Sequence, residues 1–255
     1  FDFNVPEEIN RRIIDHIADF NLVYTEHARR HLISEGLPQR RIYLTGSPMN
    51  EVLNYYRQKI DSSGILNTLR LEKGQYFVVS VHREENVDNP WNLEKILLIL
   101  NRLAGDYKVP VIVSTHPRTR KRLEEVNNKG MDPRIQFLKP FGFTDYVHLQ
   151  MNALCTVSDS GTISEESAIL NFPAISLRNS MERPEAQDAG TIMLTGFDSS
   201  VVLESVETNI REHSTRDASL IPSDYRVPDT SWRVMKLIQS LSGLSNKWHG
   251  ISIGI

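Results

Sequence analysis

Residues 154–184 read LCTVSDSGTISEESAILNFPAISLRNSMERP, and this stretch decides the fold. Leu154 to Val157 is a short apolar run, the end of a buried strand. Ser158, Asp159, Ser160, Gly161 and Thr162 make a small polar turn. Ile163 to Leu170 places apolar residues at Ile163, Ala168, Ile169 and Leu170, with Glu165 and Glu166 near its start. That pattern predicts a helix whose acidic first turn suits the macrodipole. Asn171, Phe172 and Pro173 end it, and Ala174 to Leu177 starts another strand. Strand, small polar turn and helix start together suit a phosphate, because the first helical amides lack internal partners. The same turn also has a plain structural reading, since every βα unit needs one and Ser, Asp and Gly are ordinary turn residues. It is neither a Walker A sequence nor a G-x-G-x-x-G fingerprint. Two neighbours favour a ligand. Glu166 lies far enough into the helix to reach a ribose hydroxyl, and the next strand ends in Arg178, followed by Glu182-Arg183-Pro184-Glu185. Ligands of open α/β sheets bind at that carboxyl edge.

Working upstream, Tyr76 to Val81 is a β-prone run ending in His82-Arg83-Glu84-Glu85-Asn86, read as a charged loop. Asn92 to Leu103 is an amphipathic helix, and Val109 to Ser114 a strand ending in Thr115-His116-Pro117-Arg118-Thr119-Arg120. Thr119 to Asn127 is a helix, Ile135 to Leu138 a short strand, and Asp145 to Ala153 a helix. Strands with polar carboxyl ends alternating with helices indicate an α/β fold with a parallel, doubly wound sheet. Before this unit, Pro6 opens a helix whose buried face is marked by Ile9, Ile13, Ile14 and Ile17. Asp19 to Tyr24 and Arg41 to Thr45 read as strands, Glu26 to Glu35 and Asn50 to Ile60 as helices. Two strands and their helices cannot bury a full core, so this opening segment reads as the middle of a domain. Phe1 in place of a methionine points the same way, to a fragment or processed product. Downstream, Gly190 to Leu194 is a candidate strand, Ser200 to Arg211 a helix, and Ser231 to Leu241 a last helix with Val234, Leu237, Ile238 and Leu241 on one face. Ser242 to Ile255 reads as a poorly structured tail.

The 255 residues suffice for one large domain or two smaller ones. A net charge of −3 gives no footprint for nucleic acid or a membrane surface, and neither partner is expected. No apolar segment approaches the ~20 residues needed to cross a bilayer. The one cysteine, Cys155, sits in an apolar run and reads as a core residue. Its solitude rules out an internal disulfide and fits a cytoplasmic location. His27 and His31 stand at zinc-compatible spacing, but no ligand set completes a site, and no metal or cofactor is expected.

The polar strand ends would line one cleft: His82 and Arg83, His116 and Arg118, Phe141 to Tyr146, Ser160 to Thr162, and Arg183. Arginines and helix amides would hold a diphosphate, and aromatic rings near Phe141 and Tyr146 would stack on a base. Each residue has a duller alternative: the histidines as strand-end caps, the aromatics as core.

Four ordered motifs then carry a resemblance. Pro6-Glu7-Glu8-Ile9-Asn10-Arg11, Val81-His82-Arg83-Glu84-Glu85-Asn86, Ser158-Asp159-Ser160-Gly161 and Glu182-Arg183-Pro184-Glu185-Ala186 resemble the non-hydrolysing UDP-N-acetylglucosamine 2-epimerase family in order and spacing. The likeness runs from Phe1 to about Phe197. His82 to Asp88, Thr115 to Arg120 and Leu138 to Phe143 look most like the branch that makes UDP-N-acetyl-L-fucosamine for capsule or O-antigen. The resemblance implies two Rossmann-like domains in the glycosyltransferase-B arrangement, facing across a deep cleft. Residues 1–45 would be the end of the N-terminal domain, residues 46–220 the UDP-binding C-terminal domain, and residues 221–255 a crossing helix and tail. The family's earlier motifs are missing, so the fragment alone would be inactive.

The activity implied is C2 epimerisation of a UDP-2-acetamido sugar by elimination and re-addition of UDP. The branch's substrate would be UDP-2-acetamido-2,6-dideoxy-L-talose. Glu7 is similar to the family's catalytic glutamate and His82 to its essential histidine. Arg83, His116, Phe141 and Tyr146 would contact substrate, Phe141 and Tyr146 at the uridine. Ser160, Gly161 and Thr162 resemble the diphosphate turn, Glu166 the ribose carboxylate and Arg183 a diphosphate arginine. Thr162 departs from the family's glycine. A UDP-sugar and a second copy, as a homodimer, are the partners implied. Rival readings are a UDP-N-acetylglucosamine/UDP-N-acetylmannosamine 2-epimerase, a hydrolysing relative, a glycosyltransferase of the same architecture, and a non-catalytic UDP-sugar sensor.

Overall fold

The computed structural model describes residues 6–115, 119–120, 122, 130–181, 183–213, 215, 220–248 and 250, with the side chains of Pro6, Glu7 and Glu85 left aside. The chain folds into two compact units, one drawn from its two ends (to Val52 and from Ser223), the other spanning Leu53–Pro222.

The larger unit is a six-stranded, all-parallel sheet. Its strands are β3 (Phe77–Ser80), β4 (Val111–Ser114), β5 (Ile135–Leu138), β6 (Cys155–Ser158), β7 (Ala174–Ser176) and β8 (Met193–Leu194), after β1 (Asn21–Val23) and β2 (Ile42–Leu44) of the other unit. Their order across the sheet is β5-β4-β3-β6-β7-β8. The chain therefore runs outward from β3 in one direction, returns, and runs outward from β6 in the other: the doubly wound pattern with its switch point between β3 and β6. Strand alternation sends side chains to two faces. Phe77, Val79 and Val81 join a cluster with Ile96, Ile99, Leu100 and Leu103, while Tyr76 and Val78 join Ile112 and Leu149 on the other side.

Helices cover both faces. The helices before β3 are α1 (Pro6–Ile17), α2 (Glu26–Ser34), α3 (Met49–Asp61) and α4 (Ile65–Leu69). Next come α5 (Glu84–Val87), α6 (Pro90–Tyr107), α7 (Phe143–Asn152), α8 (Ile163–Leu170), α9 (Glu185–Asp188) and α10 (Ser199–His213). The helix α6 is longer at both ends than its apolar periodicity predicts. Asn89 caps it, accepting from the Trp91 and Asn92 amides with Pro90 in the first turn, and Lys108 ends it in a left-handed conformation. The short helices α5 and α9 stand where charged loops were expected. The α5 turn is anchored from inside, because Asn86 and Val87 are buried. The helix expected over Thr119 to Asn127 lies largely outside the described residues; Thr119, Arg120 and Arg122 are helical. None of the described helices is long and apolar enough to cross a membrane.

The smaller unit pairs β1 with β2 in parallel and packs Leu32, Leu37 and Ile42 with Val23. Thr25 caps α2 by accepting from the Ala28 amide at 3.3 Å. After β2, Gly46 (φ +86) must be glycine on two counts: its φ is left-handed, and an added Cβ would stand 2.4 Å from Val227 Cγ2.

Two expectations fail in this unit. The isoleucine face of α1 is not buried: Ile9, Ile13, Ile14 and Ile17 are 55%, 55%, 61% and 76% exposed. A two-stranded sheet offers too little apolar surface to cover a second helix face. The helix is held by charge instead, Arg11 reaching Glu8, Asp15 and Glu35. The expected tail, conversely, is ordered in part. After α11 (Thr230–Leu241) the chain forms α12 (Ser245–Trp248), and the Trp248 ring meets Phe20 edge-on at 5.6 Å with Arg40 stacked on it at 5.8 Å. One aromatic anchor suffices to hold the turn. On α11 the expected apolar face is covered only in part: Ile238 is 58% exposed, Val234, Leu237 and Leu241 are half-buried.

Candidate functional site

The switch point brings the carboxyl ends of β3 and β6 side by side, with Ser80 opposite Ser158 in the parallel register. The residues that follow, Val81-His82-Arg83 and Asp159-Ser160-Gly161, are therefore forced into one crevice. Asp159 organises it. Its side chain is fully buried. The Oδ2 atom accepts from the His82 amide at 3.1 Å, the Arg83 amide at 2.9 Å and Asn86 Nδ2 at 2.9 Å. The Oδ1 atom lies 3.2 Å from the same His82 amide and 3.1 Å from His82 Nδ1. Arg83 Nε donates to the Asp159 carbonyl at 3.0 Å. Burial opposes ionisation of Asp159, but the hydrogen bonds from His82, Arg83 and Asn86 outweigh it and hold the carboxyl below its ordinary value.

Beside this node the β6–α8 turn bonds to itself. The Ser160 amide donates to Ser158 Oγ at 3.1 Å, and the Ser160 and Thr162 hydroxyls meet at 3.0 Å. Thr162 makes no capping bond to the helix it precedes. The Gly161, Ile163 and Ser164 amides carry no hydrogen bond to another described residue. An uncapped helix start at a switch point is a ready anion site. Thr162 takes ordinary right-handed backbone angles, so the departure from glycine costs no strain.

Two adjacent glutamates on α8 are treated differently. Glu165, buried, is ion-paired with Arg183, which fixes Arg183 against the first turn of α8. Glu166, also buried, accepts from Gln150 Nε2 at 2.9 Å. Burial pushes the Glu166 carboxyl up, against the hydrogen bonds from Gln150 and Thr162. Gln150 Oε1 is buried without a hydrogen-bond partner among the described residues. Burial raises the Tyr146 phenol above the ordinary range. Phe141 and Tyr146 both lean on the Tyr76, Val78, Ile112 and Leu149 cluster, so they belong partly to the core.

The structure thus brings together His82, Arg83, Tyr146, Ser160, Gly161, Thr162, Glu166 and Arg183 within the larger unit. Glu7 lies on α1 in the other unit, and its side chain is outside the described residues, as are His116 and Arg118. Sequence reasoning missed Asp159, Glu165 and Gln150 as partners. Asp159 had a signal, an acid directly after a buried strand in the turn that also faces a His-Arg pair; the Gln150–Glu166 bond had none.

In the smaller unit, Glu8, His31 and Glu35 bring ligand atoms within 4.8 Å of one another, a set that by type suits a metal. The Arg11 guanidinium lies among them, 2.6 Å from Glu35, 3.0 Å from Glu8 and 3.2 Å from His31 Nε2. It supplies the positive charge that such a set calls for. Its hydrogen bond holds Glu8 down at about 2, while burial and then the Arg11 charge lower His31.

Comparison with known proteins fits this geometry. The sequence model of the family described as UDP-N-acetylglucosamine 2-epimerase matches residues 1–239. A UDP-N-acetylglucosamine 2-epimerase of Methanocaldococcus jannaschii is 33% identical over 214 residues, 81% of this chain and 58% of that protein. The structure of UDP-N-acetylglucosamine 2-epimerase from Rickettsia bellii superposes with a TM-score of 0.89 at 46% identity, covering 97% of this chain and 66% of that one. The M. jannaschii epimerase in complex with UDP-GlcNAc and UDP gives 0.81 at 29% identity, covering 92% of this chain and 66% of that one. The chain therefore spans somewhat under two thirds of the length of these relatives. With the α/β fold of parallel sheets shared and the family model covering most of the sequence, the chain belongs to the UDP-N-acetylglucosamine 2-epimerase family.

Proposed function

We propose that this chain carries the UDP-binding part of a non-hydrolysing UDP-sugar 2-epimerase. The observation that carries the reading is the uncapped start of α8 at the switch point, with Arg183 fixed at its first turn. Helix amides and a guanidinium suit the two phosphates of UDP. Glu166 is the ribose contact, and Phe141 and Tyr146 lie on the uridine side. In the same reading residues 1–45 are the end of an N-terminal domain, residues 46–220 the UDP-binding C-terminal domain and residues 221–255 a crossing helix and tail.

The chemistry follows from the bond at C2. Its proton is removed as the C1–O bond to UDP breaks, giving a 2-acetamidoglycal. UDP then re-adds at C1 while a proton returns to C2 from the other face. Glu7 and His82 are the groups of this chain that exchange protons, and Arg83, His116 and Arg183 offset the charge of the leaving diphosphate. The substrate is UDP-2-acetamido-2,6-dideoxy-L-talose, converted to UDP-N-acetyl-L-fucosamine in cytoplasmic synthesis of surface polysaccharide, by a homodimer. The motifs at His82–Asp88, Thr115–Arg120 and Leu138–Phe143 support this choice. A second reading has a specific support: the M. jannaschii relative was seen with UDP-GlcNAc and UDP, which favours UDP-N-acetylglucosamine as substrate.

Calorimetric titration of this chain with UDP tests the half-site. Saturable binding that weakens about tenfold or more in Arg183→Ala is expected; no binding to the wild-type chain would sink the proposal. For the epimerase reading, turnover of each UDP-sugar in deuterated water should place deuterium at C2 and return UDP-sugar, and turnover that leaves C2 unlabelled would rule out epimerisation.

A further inference from the structure

We propose that Asp159 is the positioning residue of His82: its carboxylate fixes the imidazole as the Nδ1–H tautomer and makes Nε2 the basic atom of the neutral ring. The proposal rests on the reading of His82 as a proton-exchanging group. A carboxylate is an acceptor only, so at 3.1 Å from Oδ1 the ring nitrogen is favoured in its N–H form, since a lone pair there would face the carboxylate charge. The carboxylate cannot turn away. Three donors (the His82 and Arg83 amides and Asn86 Nδ2) converge on Oδ2 at 2.9–3.1 Å. Arg83 Nε also ties the Asp159 carbonyl, and the Asp159 amide donates to the Ser80 carbonyl at 3.1 Å. The low value of the Asp159 carboxyl keeps it charged at neutral pH. In a histidine the bond made by one ring nitrogen decides which nitrogen carries the proton. The same logic lets the buried aspartate of a serine-protease triad hold its histidine in the productive tautomer.

The geometry also predicts what Asp159→Asn does. Three donors at the Oδ2 seat select the amide oxygen for that place. The amide nitrogen then takes the Oδ1 seat and donates toward His82 Nδ1, so the ring must move its own proton to Nε2. The substitution keeps size and shape but inverts the tautomer.

The test is ¹⁵N–¹H correlation of histidine side chains in this 255-residue chain at neutral pH, with His82 assigned by its absence in His82→Gln. In wild type the His82 Nδ1 resonance is expected in the protonated, pyrrole-like range and Nε2 in the pyridine-like range; in Asp159→Asn the two are expected to exchange ranges. A wild-type His82 in the Nε2–H form, which needs no variant to fold, overturns the inference, and so does an Asp159→Asn chain that keeps the Nδ1–H form. UDP titration of the same samples reads the nucleotide site separately. Wild type failing to bind UDP removes the proposed function while the tautomer is still decided by the ring resonances alone.

Discussion

Two helices of this molecule carry the same kind of sequence and meet opposite fates. On α6, in the larger unit, Leu93, Ile96, Ile99, Leu100 and Leu103 recur at helical spacing and none is more than 5% exposed. On α1, in the smaller unit, Ile9, Ile13, Ile14 and Ile17 recur at the same spacing and all are more than half exposed. The difference lies in what each sheet can offer. Six strands with apolar residues on both faces can seat helices on either side; two strands of three residues each seat α2 and little more. Periodicity says which face of a helix is apolar. Only the strand count of its own unit says whether that face is covered.

The largest consequence falls on α6. Leu100→Ala should cost about 2–5 kcal/mol of stability, because the removed methyl groups leave a void in the buried cluster that Leu100 shares with Val79 and Val113. Urea unfolding measures it, and a cost below ~1 kcal/mol would mean that the larger unit is no better packed than the smaller. Next comes the Glu165–Arg183 pair. Arg183→Ala strips the partner from a buried carboxylate and should cost about 1–3 kcal/mol, less than a fully buried pair because Arg183 itself is half-exposed. Adding Glu165→Gln should return much of the loss. A double-mutant cycle showing simple additivity would mean the two side chains act independently.

The sheet and most of its helices were legible because buried parallel strands such as Phe77–Ser80 and Cys155–Ser158 are continuous apolar runs with polar carboxyl ends. The order β5-β4-β3-β6-β7-β8 was not legible, since the run of elements is the same for several strand orders. The turn at Ser158–Thr162 and the helix start behind it were readable from residue type. The fate of each buried acid there was not: Asp159, Glu165 and Glu166 look alike in sequence and differ only through partners 16 to 77 residues away. The exposed isoleucines of α1 mark the same boundary, because spacing names a face but no partner.

Those acids give a smaller effect with opposite signs. Asp159 sits below its ordinary 3.8 in the folded chain. Its contribution is present above that value and is lost as pH falls through the lowered folded value, so wild type and Asp159→Asn should converge in stability on acidification. Glu166 sits above its ordinary 4.5. The folded chain holds that proton to higher pH than the unfolded chain, so wild type loses stability as pH rises through the raised value, and Glu166→Gln should gain on it over the same interval. Unfolding measured across the acid range separates the two; curves that move in parallel would mean that burial, rather than the partners of each carboxyl, governs both.

The smallest effect returns to α1. Ile13→Ser exchanges an apolar side chain that is 55% exposed for a polar one of similar helix propensity. It uncovers no cavity and leaves no buried donor unpaired. The loss should stay within about 0.5 kcal/mol, the range of surface substitutions. The control is Glu35→Gln, which touches the charged side of the same helix, where Arg11 joins Glu8, Asp15 and Glu35, and should cost more than Ile13→Ser. If Ile13→Ser instead costs as much as Leu100→Ala, the isoleucine face is covered in solution. Concentration dependence of the unfolding midpoint then identifies a second copy of the chain as the cover, because only association makes stability depend on protein concentration.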